Sequence, residues 1–364
     1  MTLATDERWM RLAISLGAQR LGQTWPNPAV GCVIVKDGRV LARAATAPGG
    51  RPHAETQALD GINAKGSTVY VSLEPCAHTG KTPPCAQALI DARVARVVYG
   101  MRDPDCRVDG KGTSMLSAAG IAVTGPVLEK QALAANQGFI TAITKGRPAL
   151  TLKLATSFDG RIATASGQSQ WITGPNARRA VHMMRANHDA IMVGAGTARA
   201  DDPTLTQRVG GIAHQPIRVI CTSDLNIPMD GALVGAIKHA PLWLIHGQDA
   251  KASARDAWLQ KGAKLIQVPS SPNGLDMTVA MQKLCEKGIT RVFCEGGGQL
   301  AAGLLKAKLV DRLVGFTAGM ALGGDGRACV GALNLDAIDE TQAFQLENLR
   351  EIGGDILHIW QCDC

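Results

Sequence analysis

Two successive α/β domains are the fold class this sequence predicts, and three observations carry the expectation. The 364 residues exceed what one hydrophobic core ordinarily organises. Short β-type runs alternate with helical patterns along the whole chain, which implies sheets layered with helices. The alternation pauses at Lys145-Gly146-Arg147-Pro148, a short polar stop, and then restarts. The division therefore falls between residues 1–146 and 147–364.

The first element is an amphipathic helix. Trp9, Leu12, Ala13 and Leu16 repeat at helical spacing, and Asp6 and Glu7 lie in the first turn, where the helix dipole favours acids. Ala29–Val35 reads as a strand, Asp37-Gly38 as a tight hairpin turn and Arg39–Ala45 as its partner. A short helix starts near His53. Ser67–Leu73 is a further β run, Pro84–Arg93 a helix opened by proline, and Val94–Met101 another β run. An Asn136–Ile143 segment precedes the boundary. Beyond it come a strand at Ala149–Leu154 and a helix at Pro175–His188, whose apolar face is Ala177, Ala180, Val181 and Met184. Strand-like runs follow at Ala190–Val193, Ile217–Cys221, Leu242–Ile245, Leu265–Val268, Arg291–Cys294 and Arg312–Phe316.

Composition narrows the function. Hydrophobic residues make up 46% and charged residues 19%, an ordinary globular mixture. Aromatics reach only 4%, which disfavours stacking platforms for single-stranded nucleic acid. Residues 1–148 carry 17 basic and 11 acidic side chains, against 21 and 20 in the remainder, so the net charge of +7 is concentrated in the first half. With no dense basic run, that excess suits a phosphorylated small molecule. The first residues carry Asp6 and Glu7 and no uninterrupted apolar stretch, unlike a signal or transit peptide. No run is long and apolar enough to span a membrane. The ten cysteines are therefore expected as reduced thiols or metal ligands in a cytoplasmic protein.

The chemistry concentrates in Pro52-His53-Ala54-Glu55, in Pro75-Cys76 and in Cys85. A catalytic zinc takes three imidazole or thiolate ligands and keeps one position for water. His53, Cys76 and Cys85 supply three. His53 and Cys85 stand at helix starts, where a thiol pKa is lowered. Water held there loses a proton near neutral pH and becomes a hydroxide nucleophile. Glu55, two residues beyond His53, is placed to accept that proton and deliver it to a ring nitrogen and a departing amine. This is the general pattern of zinc nucleobase deaminases, although their second half is usually Cys-x-x-Cys and here it is Cys-x8-Cys. Each fragment alone would pass for a capping histidine or buried thiols. Together, between strands and helices, they favour a metal site. A purely structural site would need a fourth ligand, for which His78 is the nearby candidate.

With these residues in view, the chain resembles the bifunctional riboflavin-biosynthesis deaminase–reductases of the RibD type over essentially its whole length. In the first half the resemblance rests on Pro26-Asn27-Pro28-Ala29-Val30-Gly31, on Pro52–Glu55 and on the run Glu74–Cys85. In the second half it rests on Ser157–Arg161, Ser169–Thr173, Ala200–Thr206 and Glu295–Gly298. It implies a cytidine-deaminase-like three-layer domain followed by a dihydrofolate-reductase-like α/β domain. The first would remove a ring amine from a diaminopyrimidinone carrying a ribosylamino 5′-phosphate, and the second would use NADPH to reduce the ribosyl group to ribityl. Zinc and NADPH are the implied cofactors, a homo-oligomer the implied assembly, and neither nucleic acid nor membrane an implied partner.

The resemblance also implies site residues. Asn27 would read the pyrimidine edge, and His78, Lys81 and Thr82 in the Cys-x8-Cys loop can donate hydrogen bonds or charge to a phosphate. Ala155, Trp171, Thr197, Asp201, Ser223 and the loop Gly297, Gly298 to Gly303 match cofactor positions. Ser169, Arg185, Leu205, Arg208 and Glu295 match substrate positions, with Arg185 and Arg208 suited to phosphate. The glycine triplet Gly296-Gly297-Gly298 follows a β run and opens a helical pattern, so its N–H groups can approach a phosphate; it is not a GxGxxG fingerprint. One departure stands out. Where the family commonly carries a histidine shortly before the zinc histidine, this chain has Ala44-Ala45-Thr46. The alternatives are a zinc deaminase of nucleosides or nucleic acid with a non-reductase second domain, and a zinc-stabilised RNA-binding module; NADPH binding separates both from the main reading.

Overall fold

The computed structural model describes residues 3–77, 83–105, 109–271 and 274–362. The chain divides into two compact units, Met1–Gly146 and Arg147–Cys364.

The first unit runs α1 (Leu3–Ala18), β1 (Gly31–Lys36), β2 (Arg39–Ala45), α2 (Ala54–Leu59), β3 (Thr68–Val71) and α3 (Cys85–Asp91). It continues with β4 (Arg96–Tyr99), α4 (Lys111–Ala118), β5 (Ala122–Thr124) and α5 (Glu129–Lys145). Its sheet has the order β2-β1-β3-β4-β5, antiparallel at β2-β1-β3 and parallel from β3 to β5. Alternation of side chains along the strands fills both faces. Val33, Val35, Tyr70 and Val98 pack against Trp9, Met10 and Ala13 of α1. Cys32, Ile34, Val69, Val71 and Val97 pack on the opposite face against Ala54, Ala58, Ala86, Leu89 and Leu116 of α2, α3 and α4. The unit is therefore three-layered. The two sequence-adjacent turn residues Asp37 and Gly38 both adopt positive φ, as a tight hairpin requires.

A buried charge network fixes α1 on the sheet. Asp6 accepts from Arg96 at 2.9 and 2.8 Å and from the Tyr70 hydroxyl at 2.8 Å. Burial raises the Asp6 carboxyl, but the hydrogen bonds from Arg96 and Tyr70 outweigh it and hold the group below its usual range.

The second unit begins with β6 (Ala149–Ser157), β7 (Arg161–Ala163), α6 (Pro175–Ala186), β8 (Ala190–Gly194), α7 (Ala195–Asp201) and β9 (Ile217–Cys221). Next come α8 (Ala232–Gly235), β10 (Leu242–His246), α9 (Ala252–Gln260), β11 (Lys264–Gln267), β12 (Ser270–Ser271) and β13 (Gly274–Leu275). It ends with α10 (Met277–Glu286), β14 (Arg291–Cys294), α11 (Gly298–Lys306), β15 (Arg312–Ala318), β16 (Arg327–Ala328), β17 (Phe344–Ile352) and β18 (Asp355–Cys362). Nine strands form one sheet in the order β11-β10-β9-β8-β14-β6-β15-β18-β17, every pairing parallel except the two made by β18, which runs against its neighbours. The central strands are mostly apolar because helices cover both faces, with Lys153 on β6 and the buried Arg218 on β9 as polar interruptions. Arg147 and Asp311 pin the start of β6 to the start of β15 through bonds of 2.7 and 2.8 Å.

Two features extend beyond the sequence expectation. The segment expected at Asn136–Ile143 is the end of a 17-residue helix. The hairpin β17–β18, joined by Gly353-Gly354 at positive φ, carries a hairpin turn signal that the sequence reading passed over.

Candidate active sites

In the first unit the zinc-type residues converge at the carboxyl end of β3 and the starts of two helices. His53 is the N-cap of α2, in extended backbone after Pro52. Cys85 opens α3 behind the N-cap Pro84. The turn holding Cys76 is tied to α3, with Cys85 N–H donating to Cys76 Sγ at 3.3 Å and Ala86 N–H to the Cys76 carbonyl at 3.1 Å. His53 Nδ1 lies 3.2 Å from Cys85 Sγ and 3.8 Å from Cys76 Sγ, and the three donor atoms lie within 4.8 Å of one another. Bonds of about 2.0–2.3 Å around a tetrahedral zinc put its ligand atoms roughly 3.5–3.8 Å apart. The donor set and the spacing fit zinc, and among the described residues no fourth donor joins them.

Glu55 is buried beside this cluster on the first turn of α2. Burial pushes its carboxyl up to about 7, and the charge of Cys76 acts the same way. The hydrogen bond with Cys85 and the His53 ring overcome burial to lower Cys76 to about 4, while Cys76 and burial push Cys85 well up.

Asn27 donates from Nδ2 to the Gly50 carbonyl at 3.0 Å, tying its loop to the segment that leads into His53. Gly50 has φ +82°, and a Cβ there would meet Asn27 Nδ2 at 2.2 Å, so only glycine lets the two segments approach. Thr46 is buried; its Oγ1 accepts from Val30 N–H at 3.0 Å and donates to the Val30 carbonyl at 3.3 Å. It closes the end of β2 and does not face a ligand with a free group. His78, Lys81 and Thr82 lie outside the described residues.

The sequence reading missed two carboxylates after β3 and β4. Glu74 is buried and accepts from Gly110 N–H, Thr113 N–H and the Thr113 hydroxyl at 3.1, 3.1 and 3.2 Å, anchoring the start of α4. Asp103 is buried in the loop after β4; desolvation pushes it up to about 6, and the charges of Asp105, Glu74 and Cys76 add to that rise. The available signal was Asp103-Pro104-Asp105 following a β run, at the strand ends where α/β sheets place their sites.

In the second unit, several candidate residues gather above the carboxyl ends of β6, β8 and β14. Arg185 on α6 donates from Nε and Nη2 to Glu295 at 2.5 and 3.0 Å, and from Nη1 to the Thr206 carbonyl at 2.8 Å. Its guanidinium is thus committed first to holding Glu295 and the 204–208 segment, with two N–H groups left over. That segment carries Leu205, buried at φ 53°, and Arg208, exposed, with Nη2 3.4 Å from Thr204 Oγ1. Burial raises the Glu295 carboxyl, but Arg185 more than compensates and holds it low. Lys153 on β6 was not singled out from sequence. Burial lowers its ammonium, which interacts with Glu295, Arg185 and Asp201. A lysine inside an apolar strand was the missed signal.

Gly297 has φ 65° and is the N-cap of α11; a Cβ on Gly298 would lie 2.9 Å from the Ala328 carbonyl. Thr197 on α7 faces this loop. Gly303 lies on α11 itself, about 9 Å along the axis from Gly297 at 1.5 Å per residue. Ala155 is on β6, and Ser223 is exposed after β9. Ser169 and Trp171 occupy the loop before α6, where the Trp171 ring is 66% exposed with the Arg178 guanidinium 4.4 Å above it.

Comparison with known proteins agrees with this division. The model for the cytidine and deoxycytidylate deaminase zinc-binding region matches residues 3–101, and that for the RibD C-terminal domain matches residues 148–358. Riboflavin biosynthesis protein RibD of Escherichia coli is 38% identical over 97% of this chain and 99% of its own length. The chain belongs to the RibD family. The RibD of Haemophilus influenzae is 39% identical over 96% of this chain and 95% of its own. Among solved structures, Acinetobacter baumannii RibD superposes with TM-score 0.87 and 35% identity, covering 100% of both chains. A diaminohydroxyphosphoribosylaminopyrimidine deaminase/5-amino-6-(5-phosphoribosylamino)uracil reductase of Thermotoga maritima gives 0.86 and 30%, covering 99% of both. The first unit is accordingly a cytidine-deaminase-like domain, the second a RibD-type reductase domain, and the chain a deaminase and reductase of riboflavin biosynthesis.

Proposed function

We propose that residues 1–146 deaminate 2,5-diamino-6-ribosylamino-4(3H)-pyrimidinone 5′-phosphate and that residues 147–364 reduce the ribosyl group of the product to ribityl, in a cytoplasmic enzyme. The observation that carries the first half is the His53–Cys76–Cys85 cluster with Glu55 buried against it. These three side chains would hold zinc, which supplies water activation at neutral pH. Glu55 takes one proton from the attacking water and delivers it to the ring nitrogen, then takes the second from the hydroxyl so formed and delivers it to the amine, which departs as ammonia. Asn27 orients the pyrimidine edge, and His78, Lys81 and Thr82 meet the phosphate.

In the second half NADPH supplies the reducing equivalent. The pocket residues bind and orient. Gly297, Gly298, Thr197 and Ser223 line the cofactor side with Ala155, Trp171, Asp201 and Gly303. Ser169, Leu205 and Arg208 serve the substrate, and Arg185 acts mainly by fixing Glu295 and the 204–208 segment. Lys153, whose ammonium burial lowers within the field of Glu295, stands beside the reacting ribose, where it can hold or release a proton.

Homo-oligomerisation belongs to the same reading. On one face of the hairpin Leu346 pairs with Trp360 and Leu349 with His358, next to Ile356, and Leu346, Leu349 and Ile356 are exposed. An apolar sheet face of this kind suits a second copy of the same face about a two-fold axis.

The test of the whole reading is incubation of the zinc-loaded chain with the diaminopyrimidinone, with and without NADPH, following ammonia release and NADPH oxidation separately. Ammonia release without NADPH, and NADPH oxidation only after deamination, is the expected pattern. Deamination of cytidine or single-stranded DNA in preference to this substrate would overturn it.

A further inference from the structure

NADPH differs from NADH only by a phosphate on the 2′-oxygen of the adenosine ribose, and the residues named so far do not distinguish the two. We propose that Arg199 makes that distinction by pairing with the 2′-phosphate. The inference rests on NADPH being the cofactor of the second unit.

Strand order places the site. The sequence β9-β8-β14 in the sheet puts the end of β9 two strand spacings, roughly 10 Å, from the Gly296-Gly297-Gly298 loop after β14. A pyrophosphate on the glycine loop would leave the adenosine half to cross the β8–α7 connection toward the end of β9. The helix α7 lies along that path. Its Thr197 faces the glycine loop, where a Cβ on Gly297 would lie 3.1 Å from Thr197 Oγ1. Arg199 lies two residues on, about 200° around the helix, and faces the other way. Its Nη1 donates to the Asn226 carbonyl at 2.7 Å, in the turn that follows β9.

That turn is held in place. Asp224 Oδ1 accepts from Asn226 N–H at 3.0 Å and from the Thr222 hydroxyl at 3.3 Å. Ser223 is left exposed in the same turn. Arg199 is exposed, and among the described residues its bond to Asn226 is its only hydrogen bond. Four of the five guanidinium N–H groups therefore remain for a ligand, in the planar fork that matches phosphate.

The nearby acids sharpen the argument. Asp202 is engaged by Ala232 N–H at 2.8 and 3.1 Å. Asp224 keeps its second oxygen, and alone it would repel a phosphate and suit the bare ribose hydroxyls of NADH. Arg199 is the cation that tips this end of the cleft toward NADPH.

The experiment uses the full zinc-loaded chain and measures binding as well as turnover. Affinities for NADPH and NADH come from tryptophan fluorescence, and those for 2′,5′-ADP and 5′-AMP from calorimetry. In Arg199→Leu, NADPH and 2′,5′-ADP should weaken about tenfold to a hundredfold, the scale of a charge-assisted hydrogen bond, while NADH and 5′-AMP change little. Arg199→Lys should recover part of the loss as a point charge. An unchanged preference for NADPH in Arg199→Leu overturns the assignment of Arg199. Failure of the unaltered chain to bind either NADPH or 2′,5′-ADP overturns the cofactor reading beneath it.

Discussion

Glu55 is held inside the first turn of α2, two residues past His53, buried and in contact with Cys85, yet outside the cluster of three donor atoms. This separates two functions that sit within three residues of each other. Glu55→Gln should keep its zinc, measured by metal analysis, and lose deamination by about 10²- to 10⁴-fold, the usual contribution of a positioned acid–base group. Full deamination by a zinc-loaded Glu55→Gln chain would remove Glu55 from proton transfer. The same scale shows where residue identity was legible and where it was not. His-x-Glu and Pro-Cys declare their chemistry by type and spacing. Arg185 declares only a positive charge, and its commitment to Glu295 and Thr206 depends on residues 110 and 21 positions away. Thr46 likewise occupies the place of an expected ligand contact, but its hydroxyl is spent on Val30.

At the scale of elements, α6 illustrates how a buried histidine ties stability to pH. His188, just past the helix, has Nδ1 2.7 Å from the Met184 carbonyl and Nε2 3.1 Å from the Thr151 hydroxyl on β6. The carbonyl can only accept, so Nδ1 carries the proton and Nε2 accepts from Thr151. Burial lowers the ring to about 3. The unfolded chain therefore takes up a proton first, near pH 6.5. Stability from this group is complete above that pH and is lost as the pH falls from about 6.5 toward 3, by up to about 1.4 kcal/mol per pH unit. Thermal melts of the second unit should show this slope, and His188→Gln should flatten it. An identical slope in the variant would assign the acid sensitivity to other groups.

Most elements could be read from local pattern. Apolar runs and helical spacing gave four of the five strands of the first sheet, seven of the nine of the second, and α1, α6 and α11 within a few residues. The hairpin β17–β18 escaped because β17 is exposed along nearly its whole length and shows no one-sided apolar alternation. The early part of α5 escaped because its one buried position is Ala132, a small residue that makes no apolar stripe.

For the molecule as a whole, the two candidate sites lie in separate compact units, each with its own sheet. Chelation of zinc should therefore abolish ammonia release while NADPH oxidation persists when the deaminated intermediate is supplied. Loss of both activities together would argue that the reductase depends on the zinc domain. The exposed face of β17 and β18 makes a second prediction. Leu349→Asp should shift the chain to monomer in sedimentation velocity, with both activities measurable to confirm folding; an unchanged sedimentation coefficient would place self-association elsewhere.

The sequence by itself determined the chemistry of the first site, since zinc selects imidazole and thiolate by atom type and a short helix start brings His53 and Glu55 together within one turn. It also determined the alternation that makes both halves α/β. Tertiary structure alone decided which residues share a site across long separations: Asp103 with Cys76, Lys153 with Glu295, and Arg199 with the turn after β9. The physical reason is strand order. Local pattern fixes that a strand exists and which face is buried, but neighbours in a parallel sheet are chosen by crossover connections, and those bring distant loops to one edge.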